Sequence, residues 1–192
     1  MNMKQIFFHR MRVLMSLLLL LSGLSLMANS AYAASAAEID TEVELALEKL
    51  YVTAPAAVEL SKVAKGILVF PDVIKAGLII GGQYGDGGLV LDGKIVDYYN
   101  TVAASYGLQA GAQSFGFAMF LMTDEALDYL KKSNGWEVGI GPTIVIMDEG
   151  AAKSLTTSTA KEDIYAFIFG QKGLMAGIGL QGSKITKIHP DK

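Results

Sequence analysis

The spacing of apolar residues divides the chain into three parts. An almost unbroken apolar run extends from Val13 to Met27. From Asp40 to Gly66, apolar residues recur every three or four positions, which is the period of an amphipathic helix. Beyond Gly66, short runs rich in Val, Ile, Tyr and Gly alternate with turn residues, which is typical of strands. The pattern therefore predicts a leader, two helices and then a sheet.

The leader has the layout of a secretory signal peptide. A cationic stretch ending at Arg12 precedes the apolar run, and Ala31-Tyr32-Ala33 forms a small-residue cleavage pattern. Polar and small residues interrupt the run before the roughly 20 apolar positions of a membrane span accumulate, which disfavours the alternative of an uncleaved anchor. We interpret residues 1–33 as a signal peptide and residues 34–192 as one domain. We expect the protein in the periplasm or outside the cell, and either location is compatible with peripheral attachment to a membrane.

Two amphipathic helices are predicted at the start of the domain. The first follows Asp40 in DTEVELALEKLYV, where Thr41 and Glu44 are spaced as a capping box. The second lies in TAPAAVELSKVAKG, with Thr53 as its expected cap and Gly66 as its stop signal. Each helix has one apolar side, which is expected to cover the sheet.

The remaining segments predict an α+β fold. ILVFP, WEVGIG, TIVIMD, IYAFIF and GLMAGIGLQ have the composition of strands, and Asp92-Gly93 between two apolar runs predicts a type I′ hairpin. A second turn is expected at Gly170 to Gly173, and one further helix near residues 123–133 with Thr123 as its cap. The expected sheet is curved, antiparallel, rich in Gly and barrel-like, with the helices packed on it.

A glycine repeat runs through the predicted strands. GLIIGGQ (77–83) and GLQAGAQ (107–113) share the pattern G-L-x-x-G-x-Q, while GWEVGIG and GLMAGIG keep glycine at the first, fifth and seventh positions. On a strand, these three positions point to one face of the sheet. Two explanations stay open. The glycines let the sheet bend or another backbone approach closely, or they clear a surface for a ligand or lipid chain.

The amino-acid composition excludes most kinds of catalytic site. Both arginines of the chain lie in the leader, so residues 34–192 carry 13 Lys against 19 acidic residues, a net charge of −6. This balance argues against nucleic acid as a partner. The domain has one histidine, His189, and no cysteine, which excludes thiolate chemistry, His-rich zinc sites and disulfides. We expect no enzyme activity, no catalytic residues, no metal and no cofactor, and a hydrolase using aspartates is the least favoured hypothesis.

Lysines and aromatic side chains are the candidate binding residues. Lys62, Lys65 and Lys75 lie near one another in the sequence around the junction of helix and sheet, where they could contact lipid headgroups or form a solvated helix face. Four aromatic residues are candidates for membrane anchors or for the core, and core packing is favoured. They are Phe115, Phe117, Phe120 and Trp136.

Several segments resemble the SYLF-domain family, lipid-binding domains related to a yeast actin-regulating protein. The segments are ELSKVAKGILVFPDVIKAGLIIGGQYGDG, YYNTVAASYGLQAGAQSFGFAMFLMTDEALDYL and GWEVG, in the family's order, and the resemblance covers residues 38–188. It implies a non-enzymatic domain that binds phospholipids, preferring phosphoinositides in eukaryotic members, with an amphipathic N-terminal helix taking part. Bacterial members that resemble this chain are exported.

The resemblance also implies candidate site residues. The membrane-facing element would be residues 41–65, with Lys49, Lys62 and Lys65 as headgroup contacts, and Lys75 is added from the lysine cluster. The first helix departs from a polybasic pattern because it is acidic, which weakens the expected attraction to anionic lipid. We expect a phospholipid or a membrane surface as the partner. The alternative is an envelope scaffold or protein-interaction module that does not bind lipid directly.

Overall fold

Three helices and eight strands make up the part of the chain that the structure describes. The structure is a computed structural model, and it describes residues 34–77, 80–106, 111–133, 135–147, 160–173 and 182–191. The helices are α1 (Ala36–Thr53), α2 (Pro55–Ser61) and α3 (Asp124–Lys132). The strands are β1 (Gly66–Gly77), β2 (Ile80–Leu91), β3 (Lys94–Tyr106), β4 (Gly111–Leu121), β5 (Trp136–Glu137), β6 (Ile144–Met147), β7 (Ile164–Gly173) and β8 (Lys184–Ile188).

The strands form one mixed sheet that curls into a half-barrel. Their order is β5-β8-β3-β2-β1-β4-β7-β6, and neighbours are antiparallel except β6 and β7, which are parallel. The predicted α+β class and barrel-like sheet are confirmed. The parallel pair departs from the expected all-antiparallel sheet. Parallel neighbours need a connection of a dozen or more residues, and β6 ends at Met147 while β7 begins only at Ile164.

The N-terminal helices bury their apolar sides against the sheet. Ile39, Val43 and Leu50 of α1 recur at helical spacing and are buried, as are Ala57 and Leu60 of α2. They join strand residues in a cluster on one face, which we call the α1 face. The predicted amphipathic pattern therefore serves the core of the domain.

Both predicted caps of these helices are wrong. The hydroxyl of Ser35 accepts a hydrogen bond from the Glu38 amide, and the Glu38 carboxylate accepts one from the Ser35 amide, so the capping box lies here and not at Thr41 and Glu44. Thr41 sits inside α1, where its hydroxyl donates to a carbonyl four residues back. Thr53 likewise donates backward instead of capping α2. Short hydroxyl side chains make both kinds of bond, so the cap could not be placed from residue type alone.

Two other local predictions are confirmed. The Thr123 hydroxyl caps α3 by accepting a hydrogen bond of 3.1 Å from the amide of Ala126. The β2–β3 hairpin turns at Asp92 and Gly93, whose φ angles of 49° and 74° lie in the left-handed region that a type I′ turn requires.

The C-terminal strands differ from prediction. β7 continues through Gly170 to Gly173, so the hairpin turn expected there does not form. Only Trp136 and Glu137 of WEVGIG pair as a strand, because Gly139 and the glycine at 141 take positive φ angles and end it. All of GLMAGIGLQ except its first residue lies outside the described residues.

The second face of the sheet holds the larger aromatic core. Ala126 and Leu130 of α3 pack there, so we call it the α3 face. Its buried side chains include Phe70, Tyr99, Phe115, Phe117 and Trp136, while Phe120 is buried on the α1 face. The core interpretation of the four predicted aromatic residues is confirmed.

Glycines allow backbones to approach each other on the α3 face. A Cβ at Gly85 would lie 2.7 Å from the carbonyl oxygen of Asp72, where β1 bulges and shifts its register by one residue between Phe70 and Val73. In the repeat itself, a Cβ at Gly77 would lie 2.8 Å from the carbonyl oxygen of Ile80. Both positions support the structural explanation of the glycines, close approach of another backbone.

Candidate functional site

The structure separates the four lysines named as candidate contacts. Lys49 lies on the exposed side of α1, Lys62 at the end of α2, and Lys65 just before β1. Lys75 lies nine residues beyond the start of β1, roughly 30 Å away by the rise of a strand. Lys62 and Lys65 are therefore neighbours at one end of the sheet, and Lys75 belongs to the other end.

The exposed side of α1 is acidic. Because its apolar side is buried, contact with a membrane would use the exposed side, where the acidic residues Glu42, Glu44 and Glu48 outnumber Lys49. Lys62 and Lys65 are each paired with a carboxylate, those of Glu59 and Asp124. The helices thus offer anionic headgroups little uncompensated positive charge.

A row of exposed side chains crosses the α1 face beyond the helices, and we call it the lysine-flanked row. The strand registers place its members opposite one another, in the order Lys172, Ser114, Ile74, Tyr84, Val102 and Lys184. Directly opposed residues share a face and adjacent strands lie about 4.8 Å apart, so the row spans about 24 Å. Ile74, Tyr84 and Val102 are 58%, 50% and 45% exposed, although their side chains are large and mainly apolar. The row is an apolar centre with a cation at each end.

Small residues extend this surface toward the ends of the strands. The next row holds Ala112, Ala76, Gly82 and Ala104, all exposed. Beyond it, Ile80 is 71% exposed. Across these two described rows, the charged residues are the flanking lysines. Exposed apolar surface with a polar rim marks an interaction site.

Tyr84 at the centre of the row is held by Asp86. Its hydroxyl donates a hydrogen bond of 2.7 Å to the Asp86 carboxylate. Desolvation, followed by this hydrogen bond and the carboxylate charge, raises the pKa of Tyr84 to about 12. The phenol is therefore neutral, and such a side chain suits the boundary between hydrocarbon and headgroups. Asp86, and Glu137 opposite Lys184 on β5, are acidic residues at the border of the row.

The described residues do not form a membrane-spanning helix or a metal site. None of the helices in the described ranges is both long and apolar enough to cross a membrane. In the same ranges, no three acidic or histidine side chains come together as they would to hold a metal ion. Asp97 of β3 is paired with Lys187 of β8.

Comparison with known families gives a match to part of the chain. A family model described as Ysc84, Las17-binding protein actin regulator, matches residues 102–190, from β3 through β8. Residues 102–190 thus match the SYLF (Ysc84) family. The SYLF family consists of lipid-binding and actin-regulating binding domains and is not known for enzymes. A comparison with curated proteins gives no match.

Sequence reasoning missed the lysine-flanked row. Its members come from six strands of the sheet and become neighbours only through strand register. The available signal was local: Ile74 and Tyr84 each alternate with residues that point to the buried face. That alternation predicts exposure of each residue but not which residues lie side by side.

Proposed function

We propose that this protein is exported and binds phospholipid bilayers without catalysing a reaction. The lysine-flanked row is the observation that carries the proposal, because an apolar centre between two cations complements a bilayer with anionic headgroups. The match of residues 102–190 to the SYLF family supports lipid binding, and the signal-peptide pattern supports export. In this proposal, the end of the sheet contacts the membrane and the helices stay packed.

The surface predicts weak, reversible attachment. Burying a large apolar side chain contributes about 1.5–3 kcal/mol, so completing the burial of three half-exposed side chains contributes about 3 kcal/mol. Each lysine near an anionic surface adds about 1 kcal/mol. The total of about 5 kcal/mol corresponds to a dissociation constant of about 0.2 mM in accessible lipid. Such binding is peripheral and depends on lipid charge.

Flotation with lipid vesicles tests the proposal. The protein is mixed with phosphatidylcholine vesicles that either contain or lack phosphatidylglycerol. The variant Lys172→Gln/Lys184→Gln should bind the anionic vesicles about 30-fold more weakly, since two lysines contribute about 2 kcal/mol. The matched control, Lys62→Gln/Lys65→Gln, removes the same charge at the other end of the sheet and should bind like the native protein.

Two other outcomes would move the membrane contact elsewhere or refute the proposal. Loss of binding in the control pair alone would move the membrane contact to the junction of α2 and β1, where the sequence had placed it. No binding to either vesicle would refute the proposal. A single stoichiometric protein partner recovered in that case would favour the alternative, an envelope scaffold or interaction module.

A further inference from the structure

The two ends of the sheet differ in charge. Beyond the lysine-flanked row, the described strand residues carry one charge, that of Lys75 on the α3 face. The opposite end has charged residues at its turns and strand starts. They include Lys65, Asp92, Lys94 and Asp163. The end beyond the lysine-flanked row is therefore the one suited to an apolar environment.

Ile80 projects from this end of the sheet. It is 71% exposed, and it lies four residues from Tyr84 on β2, on the same face. A strand rises about 3.4 Å per residue, so Ile80 lies about 13 Å beyond the lysine-flanked row. Strands tilted by about 45° to the membrane normal would still place it about 9 Å deeper than the row.

These distances decide which layer of a bilayer Ile80 would reach. The interfacial layer on each side of the hydrocarbon is roughly 5–8 Å thick. A sheet that enters end-on, with Lys172 and Lys184 at the headgroups, would carry Ile80 through this layer into the hydrocarbon. A sheet that lies flat on its α1 face would hold Ile80 at the same depth as Tyr84.

Gly82, between Ile80 and Tyr84, leaves open space on this surface. Its φ angle lies outside the left-handed region, and an added Cβ would meet no atom within 4 Å in the described part of the chain. Gly77 differs, because a Cβ there would collide with the backbone of β2. Glycine inside a strand lowers stability and often marks a place where another molecule approaches the backbone. In the end-on arrangement, hydrocarbon would fill this space.

The backbone of the central strands is paired close to their ends. β1 pairs with both β2 and β4 as far as Gly77, and β2 pairs with both β1 and β3 as far as Gly81. Hydrocarbon tolerates a backbone only where its polar groups are hydrogen-bonded. Up to these residues, β1 and β2 meet that requirement.

We propose that the sheet enters the bilayer end-on, with Ile80 in the hydrocarbon and the lysine-flanked row at the headgroups. Tyr84 then lies at the boundary between the two layers, where tyrosine is common in membrane proteins. This inference rests on the proposed function and adds the orientation of the domain. The surface it fits is the outer hydrocarbon of one leaflet together with its anionic headgroups.

Depth measurements with single-cysteine variants test the orientation. The chain has no native cysteine, so Ile80→Cys, Ile74→Cys and Val52→Cys each accept one nitrobenzoxadiazole label. Val52 of α1 is 84% exposed and is the control. The vesicles contain phosphatidylglycerol and carry a quencher either at the headgroup or on the acyl chain.

The three labels should report three environments. The label at residue 80 should shift its emission to the blue and be quenched more strongly from the acyl chain. The label at residue 74 should be quenched more strongly from the headgroup, since it lies in the lysine-flanked row. The label at residue 52 should keep the emission that it has in water.

A matched pair of charge variants gives a second readout. Ile80→Asp should weaken flotation with the anionic vesicles at least tenfold, because it removes the burial of one large apolar side chain. Val52→Asp adds the same charge to α1 and should bind like the native protein. Both positions are exposed, so both variants should keep the native urea midpoint within the error of the measurement.

Three results would overturn the end-on orientation while the native protein still floats. They are equal depths for the labels at residues 74 and 80, unchanged binding of Ile80→Asp, and a blue shift at residue 52 with loss of binding in Val52→Asp. The first would show that the sheet lies flat, and the third would make α1 the inserted element. Failure of the native protein to float refutes membrane binding itself, so the two failures are distinguishable.

Discussion

A disulfide between α1 and β2 would test whether the N-terminal helix has to leave the sheet for membrane binding. A Cβ added at Gly88 would lie 3.4 Å from Val43 Cγ2. In a disulfide, the Cβ of one residue and the sulfur of the other are about 3 Å apart, so Val43→Cys with Gly88→Cys needs only a small shift. The new Cβ would also lie 3.0 Å from Ile95 Cγ2, the end of a side chain that can move slightly. The chain has no native cysteine, so no other pair can form.

Detaching α1 would cost about as much as unfolding the domain. It would expose Ile39, Val43 and Leu50, each contributing about 1.5–3 kcal/mol when fully buried, for a total of about 5–9 kcal/mol. It would also break the hydrogen bond of 2.8 Å from the Tyr98 hydroxyl to Asp40, which ties α1 to β3. The whole free energy of unfolding of a typical domain is about 5–15 kcal/mol. Docking through the exposed rows of the sheet requires no such loss.

The assay compares the oxidised and reduced forms of the same double variant. We expect equal flotation with phosphatidylglycerol vesicles in both forms, with Val43→Cys alone as the control for the substitution. Loss of binding on oxidation that a reductant restores would refute the reasoning. The detached helix would then be the membrane element.

Three further predictions concern stability. The amide and hydroxyl of Thr143 donate hydrogen bonds to the Asp163 carboxylate and hold its pKa below the usual value. The stability that these two bonds give the folded protein is therefore fully present above pH about 4. It is lost as the pH falls through the lowered pKa. Asp163→Asn should flatten this acid dependence in circular dichroism, and an unchanged acid transition would contradict the assignment. Gly93→Ala places a Cβ at a φ of 74° and should cost about 1 kcal/mol in urea unfolding, whereas an unchanged midpoint would show that the turn relaxes. Ser35→Ala removes the α1 cap and should cost about 1 kcal/mol by the same measurement, with Thr41→Ala as a milder control.

The β2–β3 hairpin shows how far sequence reasoning reaches. Asp92-Gly93 predicted the turn correctly, and a two-residue turn sets the register of the residues beside it. A bulge at Val96 then shifts the register by one, so Tyr84 lies opposite Val102 and not opposite the buried Thr101. No residue pattern marked this bulge. A one-residue shift exchanges the faces of a strand, so the lysine-flanked row could not be found from the sequence.

The candidate lysines failed to cluster for a related reason. Lys62, Lys65 and Lys75 are close in sequence, but an extended strand carries Lys75 far from the other two. The apolar sides of the helices were predicted correctly because burial follows from periodicity within one element. Their packing against the sheet was also expected, but from the α+β fold class and not from the periodicity. The glutamines of the repeat were expected to share a face, and their register opposite Lys75 confirms it.

The place of β8 in the sheet has a consequence for biosynthesis. β8 lies between β3 and β5, and the amide of Ala36 donates a hydrogen bond of 2.8 Å to the carbonyl oxygen of Asp191. A ribosome that adds about 5–20 residues per second reaches β8 roughly 4–16 s after β3 is complete. During that interval, one edge of β3 has no neighbour, and β5 has no strand to join. The growing chain therefore presents an open strand edge for seconds, which is the kind of segment that a chaperone holds until residues 184–191 have been made.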